Sequence, residues 1–155
     1  MYGNDSLPPR LVRDLAVYFT DNADVFEVHF TAPGDDWDCG QASLYEIRYT
    51  TDAGDDLRDA DTWYAATTVA APEPLMGGEE VVATIEAPGA VSFAMRAYDD
   101  QGLISPISNA AAPTEAPPVD DDTVDDDTTD DDTADDDDDS SHGSDDDDDD
   151  DGCGC

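Results

Sequence analysis

The final 42 residues cannot be packed into a core, and this confines any fold to the chain before them. From residue 114 to residue 155 there is no aromatic residue and no Lys or Arg, and the only branched apolar side chains are Val119 and Val124. This stretch carries Glu115 and 21 Asp, a charge of −22. Its repeats DDDTV, DDDTT, DDDTA and DDDDD (120–139) run with a period of five, and nothing in them can be buried. Neighbouring carboxylates lie about 3.5 Å apart on an extended chain, inside the ~8 Å Debye length at physiological salt. The segment is therefore expected to be disordered and expanded, with a reach of at most roughly 150 Å.

The residues able to fold lie ahead of it. Up to residue 113 the chain holds both Trp, all six Tyr, all four Phe and all five Arg, enough for one core. "DVFEVHF" puts Phe26, Val28 and Phe30 on one face and Val25, Glu27 and His29 on the other. "LYEIRYT" does the same with Tyr45, Ile47 and Tyr49 against Glu46 and Arg48. "VSFAMRAY" sets Val91, Phe93, Met95 and Ala97 inward, with Ser92, Ala94, Arg96 and Tyr98 outward. This period of two predicts half-buried strands. "TWYAATTV" and "EEVVATIE" read as weaker strands, and "RDLAVYF" and "ISPISNA" complete a set of seven. Turn signals such as "APGDDWDCG", "APEPLMGG" and "DDQG" separate them. No stretch keeps a 3.6-residue apolar period, so the expectation is an antiparallel sandwich or barrel.

Taken together, "PPRLVRDLAV", "VFEVHFTAPGDD", "GQASLYEIRYTT", "TWYAAT" and "VSFAMRAYDDQGLISPISNAA" resemble a fibronectin type III domain of the secreted bacterial and chloride-channel-accessory-like variety. The resemblance implies an all-β, seven-strand Greek-key β-sandwich of immunoglobulin-like layout. Two positions depart from that pattern. Phe30 stands where Trp is frequent, and Val91 stands where a Tyr often opens the penultimate strand, so the hydroxyl bond of the tyrosine corner should be missing. The expected organisation is an N-terminal linker (1–7), the sandwich (8–112), a Pro-rich junction (113–119), the acidic spacer (120–151) and the GCGC end (152–155).

The front part carries 20 acids against 5 Arg, and the whole chain has a formal net charge of −37. Such a field repels nucleic acid and anionic lipid and favours cations and basic surfaces. No apolar run approaches the ~20 residues needed to cross a bilayer. The start, "MYGNDSLPPR", lacks the pattern of a signal peptide, and Met1 reads as a fragment boundary. The triplet "NDS" at Asn4 is a glycosylation acceptor in a suitable host.

Catalytic constellations are not legible. His29 alternates outward on a strand, and His142 sits in "SSHGS", where no rigid partner holds it. No nucleophile elbow, phosphate loop, HExxH or CxxC pair occurs, so no enzymatic activity and no cofactor are expected. Asp35, Asp36 and Asp38 crowd one loop and are weak candidates for calcium; Asp52, Asp55, Asp56, Asp59 and Asp61 crowd another. Calcium needs six to eight oxygens around one point, and neither loop has the spacing of a calcium loop. Solvated acidic turns are the plainer expectation for the loops, while weakly bound Ca2+ is expected in the field of the acidic tail. Glu46, Arg48 and Arg96 should share one sheet face, as surface charge pairs or as part of a binding face. Cys39 reads as an unpaired, half-buried thiol, with pairing to the tail cysteines through the long flexible segment as the lesser alternative.

Cys153 and Cys155 remain. An Asp/Thr-rich spacer ending in a Gly-Cys motif resembles myxobacterial-type C-terminal sorting signals, in which a membrane helix and an Arg cluster follow; those are not in this sequence. The resemblance implies attachment through Cys153 or Cys155. A thiol is a good nucleophile for acylation, and glycine neighbours leave room for an enzyme. The expected function is a non-catalytic binding or spacer module at the C-terminal end of a larger secreted bacterial protein, tethered to the cell surface. The alternative is a calcium- or mineral-binding acidic protein in which poly-Asp is the active element. The partners expected are other domains of the parent protein, or a cell-surface or extracellular protein or glycan. No nucleic acid is expected, and membrane contact only through the C-terminal attachment. The body is expected to be a monomer in an extracellular or cell-surface location.

Overall fold

The computed structural model describes residues 7–117. The spacer, the GCGC end, Asn4 and His142 lie outside the described residues. Strands β1 (Ala16–Phe19), β2 (Val25–Thr31), β3 (Leu44–Thr50), β4 (Thr67–Val69), β5 (Glu80–Glu86) and β6 (Ser92–Tyr98) form two antiparallel three-stranded sheets, ordered β1-β2-β5 and β4-β3-β6. One helix, α1 (Ala60–Ala65), interrupts them. The description is thus mostly β, as the alternating pattern requires.

The inward sets predicted from periodicity make the core. Phe26, Val28 and Phe30 of β2, with Val17, Val81 and Ile85, face Tyr45, Ile47 and Tyr49 of β3 and Phe93, Met95 and Ala97 of β6. Aromatic edges interlock the two layers: Phe26 meets Phe93 at 5.1 Å between ring centroids, and Phe30 meets Tyr45 at 5.2 Å. Such pairs add about 0.5–1.5 kcal/mol each beyond the area they bury. Val91 is a correction at the edge of the pattern: it precedes β6 and is half-buried, its N–H bonded to Thr50 O.

"TWYAATTV" does not form one strand. Its first part belongs to α1, and only residues 67–69 pair with β3. Asp59 caps the helix, its carboxylate accepting from the N–H groups of Asp61 and Thr62. Six residues are too few to display a 3.6 period, which is why the pattern was silent. The helix buries Trp63 completely against Leu57 and Ala94, a second small core on the outer face of the β4-β3-β6 sheet. Ala94, expected to point to solvent, is therefore buried.

"ISPISNA" also departs from expectation. Residues 104–111 follow β6 through isolated bridges, Tyr98 to Ile104 and Phe93 to Ala111. Pro106 has no N–H and cannot continue a ladder. Side chains fill the gap: Ser108 Oγ accepts from Met95 N–H and Ser105 Oγ from Ala97 N–H, each at 2.9 Å. The chain then crosses to the other sheet, where Thr114 bridges Tyr18 in parallel and exchanges bonds with Phe19 N–H and Val17 O. One segment thus binds both layers.

Candidate interaction surface at the loop end of the sandwich

The pairings fix which segments share an end. Thr31 of β2 pairs with Glu80 of β5, and Leu44 of β3 pairs with Tyr98 of β6. The loops 32–43, 70–79 and 99–103 therefore gather at one end. The N-terminal segment joins them, because Pro9 bridges Trp37. At the opposite end Phe19 pairs with Phe26, and Thr114 runs beside them. The described chain enters the sandwich at one end and leaves at the other.

Loop 32–43 is folded tightly around Trp37. Trp37 O accepts from Gly34 N–H at 2.8 Å and from Arg10 N–H at 3.2 Å, and Asp35 N–H and Asp36 N–H both donate to Cys39 O. This closes the turn with Trp37 at φ 59, in the left-handed region. For a bulky L-residue that conformation costs on the order of 1–3 kcal/mol and persists only where surroundings impose it. Those surroundings leave no room for side chains at two glycines. A Cβ on Gly34 would lie 2.2 Å from Cys39 O, and one on Gly77 would lie 2.3 Å from Asp38 O. Loops 32–43 and 70–79 thus touch backbone to backbone. Gln41 bridges Met76, and its side-chain amide donates to Pro74 O. Leu75 N–H donates to the Tyr45 hydroxyl, whose pKa is raised chiefly by burial.

The result is a rigid loop presenting apolar groups to solvent. Trp37 is 55% exposed and Met76 52%, with Leu75 at 38%. Among the described residues the Trp37 ring has no aromatic or cation partner. The contrast with Trp63 is complete: Trp63 has no exposure, and the guanidinium carbons of Arg48 and Arg96 lie 5.3 and 5.0 Å from its ring centre.

The sequence candidates are placed as follows. Asp38 pairs with Arg10 at 2.7 Å, and Asp35 Oδ1 accepts from Asp100 N–H. Among the described residues no group of three or more His, Cys, Asp or Glu is arranged to hold a metal ion. In the second acidic loop Asp52, Asp55 and Asp56 each have a structural task, as Asp59 has in capping α1. Asp55 accepts from the Thr50 hydroxyl, Asp52 from Gly54 N–H, and Asp56 from Arg58, whose hydrogen bonds lower the Asp56 pKa. Cys39 is disulfide-bonded, so the expected unpaired thiol does not hold; Cys153 and Cys155 lie outside the described residues.

His29 is more engaged than a solvated surface residue. Its Nε2 lies 2.7 Å from Glu27 Oε1, and its ring stands edge-on to Tyr18. Glu46 and Arg96 face each other across β3 and β6, as expected, but this face is a packed network. Glu46 bonds Arg48 at 2.6 Å with both side chains under a fifth exposed, and accepts from the Tyr98 hydroxyl. Arg48 Nη1 donates to Trp63 O at 2.9 Å, capping the C-terminal end of α1. Sequence reasoning missed Trp37: a Trp between three Asp marks the turn in the sequence, but its exposure is set by the contact with loop 70–79.

No protein-family model matches the chain, and no curated protein matches it. Among solved structures, an Fn3-like protein from Clostridium thermocellum is similar at 14% identity, over 72% of this chain and 97% of that one, with a TM-score of 0.42. The two-sheet layout stands on the strand pairings themselves. No helix among the described residues is long and apolar enough to cross a membrane.

Proposed function

We propose that the chain is a non-catalytic, fibronectin type III-like binding and spacer module of a larger secreted bacterial protein, held at the cell surface through Cys153 or Cys155. The observation that carries the reading is the opposed placement of entry and exit. The segment at Pro9 lies beside Trp37 at the loop end, and the segment at Thr114 lies beside Tyr18 at the far end. A module whose described chain enters at one end and leaves at the other can sit in line between neighbouring domains. The exit is bonded into both sheets, through Ala111 to Phe93 and through Thr114 to Val17 and Phe19, which anchors the last described residues to the body. The acidic segment, with its charge of −22, supplies hydrated distance.

The experiment is replacement of both terminal cysteines by serine in the native host. The double variant Cys153→Ser/Cys155→Ser should move from the cell-surface fraction to the medium. Cys39→Ser, which removes the Cys39 disulfide and leaves the terminal pair, should stay at the surface. Retention of the double variant would contradict the reading.

A further inference from the structure

We propose that the outer edge of β5 takes up an extended strand of a partner protein, added antiparallel to the sheet and carrying a basic side chain at each end of its solvent face. The proposal rests on the body being a binding module and not on how the C-terminus is fixed, so its test can fail while the attachment test succeeds.

The fold covers or shortens its other strand edges. The segment after β6 bridges Tyr98 and Phe93 on one sheet and then Tyr18 of β1 on the other, and β4 has only three residues. β5 runs for seven residues, pairs with β2 along its whole length, and has no bridge on its other side among the described residues. The ladder shows which groups that side offers. Ala32 N–H donates to Glu79 O and Ala87 N–H donates to Asp24 O, so by antiparallel alternation Val81, Ala83 and Ile85 bond to β2. Glu80, Val82, Thr84 and Glu86 therefore turn their N–H and C=O groups outward, and all four residues are exposed. Such a row is a template for another strand.

The side chains select what that strand is. On the solvent face Glu80 and Glu86 stand at the two ends of β5, with Val82, 53% exposed, between them. Glu86 has no ion pair among the described residues, and the one cationic candidate beside Glu80 is His29, whose Nδ1 lies 3.6 Å away. The register puts no Arg on this face of β1, β2 or β5. A second copy is a poor occupant: antiparallel pairing of two β5 edges sets Glu80 against Glu86 at both ends, and like charges directly opposite destabilise a pair. A strand with Lys or Arg at both positions gains there instead. Toward the core, Ala83 is small and only half-buried, which leaves apolar rim for the alternate side chains of the incoming strand to cover.

The probe is a labelled, capped peptide, Lys-Val-Thr-Val-Thr-Val-Lys, N-methylated at its central Val to block self-pairing. It is titrated into the full chain at roughly 0.15 M salt, with fluorescence anisotropy as the readout. Antiparallel addition uses the N–H groups of its Thr residues and leaves that of the central Val facing away. Moving the methyl groups to both Thr should lower affinity about tenfold, because two donors are lost and the charge is unchanged. The acidic segment attracts both peptides alike, so this comparison removes its contribution. Bound peptide should slow amide exchange at Val82 and Thr84 and leave Thr68 of β4 unchanged. Glu80→Gln/Glu86→Gln, at two exposed positions, should weaken binding about fivefold. Equal affinity of the two methylated peptides, or unchanged exchange at Val82 and Thr84, would overturn the proposal. So would a peptide with Gln in place of Lys that binds as tightly, or the same protection at Val82 and Thr84 appearing with protein concentration alone, which would make a second copy the occupant.

Discussion

The side-chain amide of Asn109 closes both backbone hydrogen bonds of Leu15: Oδ1 accepts from Leu15 N–H at 3.0 Å, and Nδ2 donates to Leu15 O at 2.9 Å. One side chain thereby does what a paired strand residue would do. It ties the segment entering the first sheet to the segment leaving the second. Asn109→Ala should destabilise the body by about 1–3 kcal/mol, because two half-buried backbone groups lose their partner. Asn109→Asp keeps the acceptor but sets an oxygen against the Leu15 carbonyl, so it should cost at least as much. Urea unfolding of the three proteins checks both expectations.

Ser108 makes a parallel contribution on the other sheet. Its hydroxyl accepts from Met95 N–H, inside the core, where no water can substitute. Ser108→Ala should cost about 1–3 kcal/mol by leaving that donor buried and unpaired. Amide exchange at Met95 should accelerate in the variant more than at residues of β2. Uniform acceleration across both strands would show that the hydroxyl has no local part.

The two tryptophans should separate in solution. Trp63 is fully buried and Trp37 is more than half exposed, so acrylamide should quench one emitting population readily and the other poorly. Trp37→Gly should remove the readily quenched population. Trp63→Ala should cost about 3–5 kcal/mol through the cavity it leaves, and it also takes away the ring between Arg48 and Arg96.

Alkaline pH should weaken the Tyr98–Glu46 contact in a defined window. Burial, followed by the bond to the Glu46 carboxylate, raises the Tyr98 pKa from 10.0 to about 12. A raised pKa means that folding favours the protonated phenol. The contribution is complete below about pH 10 and is lost as pH rises toward 12. Tyr98→Phe should flatten the stability profile across that window, and absorbance titration of the phenols should show Tyr98 among the last to ionise.

Periodicity made the core of the sandwich legible, because Phe26, Val28, Phe30, Tyr45, Ile47 and Tyr49 alternate on strands that have one buried face. It failed where burial is not set by alternation. Trp63 is buried by a six-residue helix capped by Asp59, too short to show a period, and Ala94 is buried because that helix lies over it. Residues 104–111 looked like a strand, but Pro106 breaks the ladder and serine hydroxyls replace backbone acceptors. Trp37 was hidden for another reason. Its exposure depends on Gly34 and Gly77 allowing two loops to touch, a long-range contact that no local pattern encodes.

The central claim is that the folded body works from a point of fixation at its C-terminal cysteines. The most direct measurement is the mass of the C-terminal peptide recovered from protein bound to cells of the native host. A covalent addition on Cys153 or Cys155, present in the surface-bound fraction and missing from secreted protein, is the predicted result. A surface-bound protein whose terminal cysteines carry no addition would contradict the account.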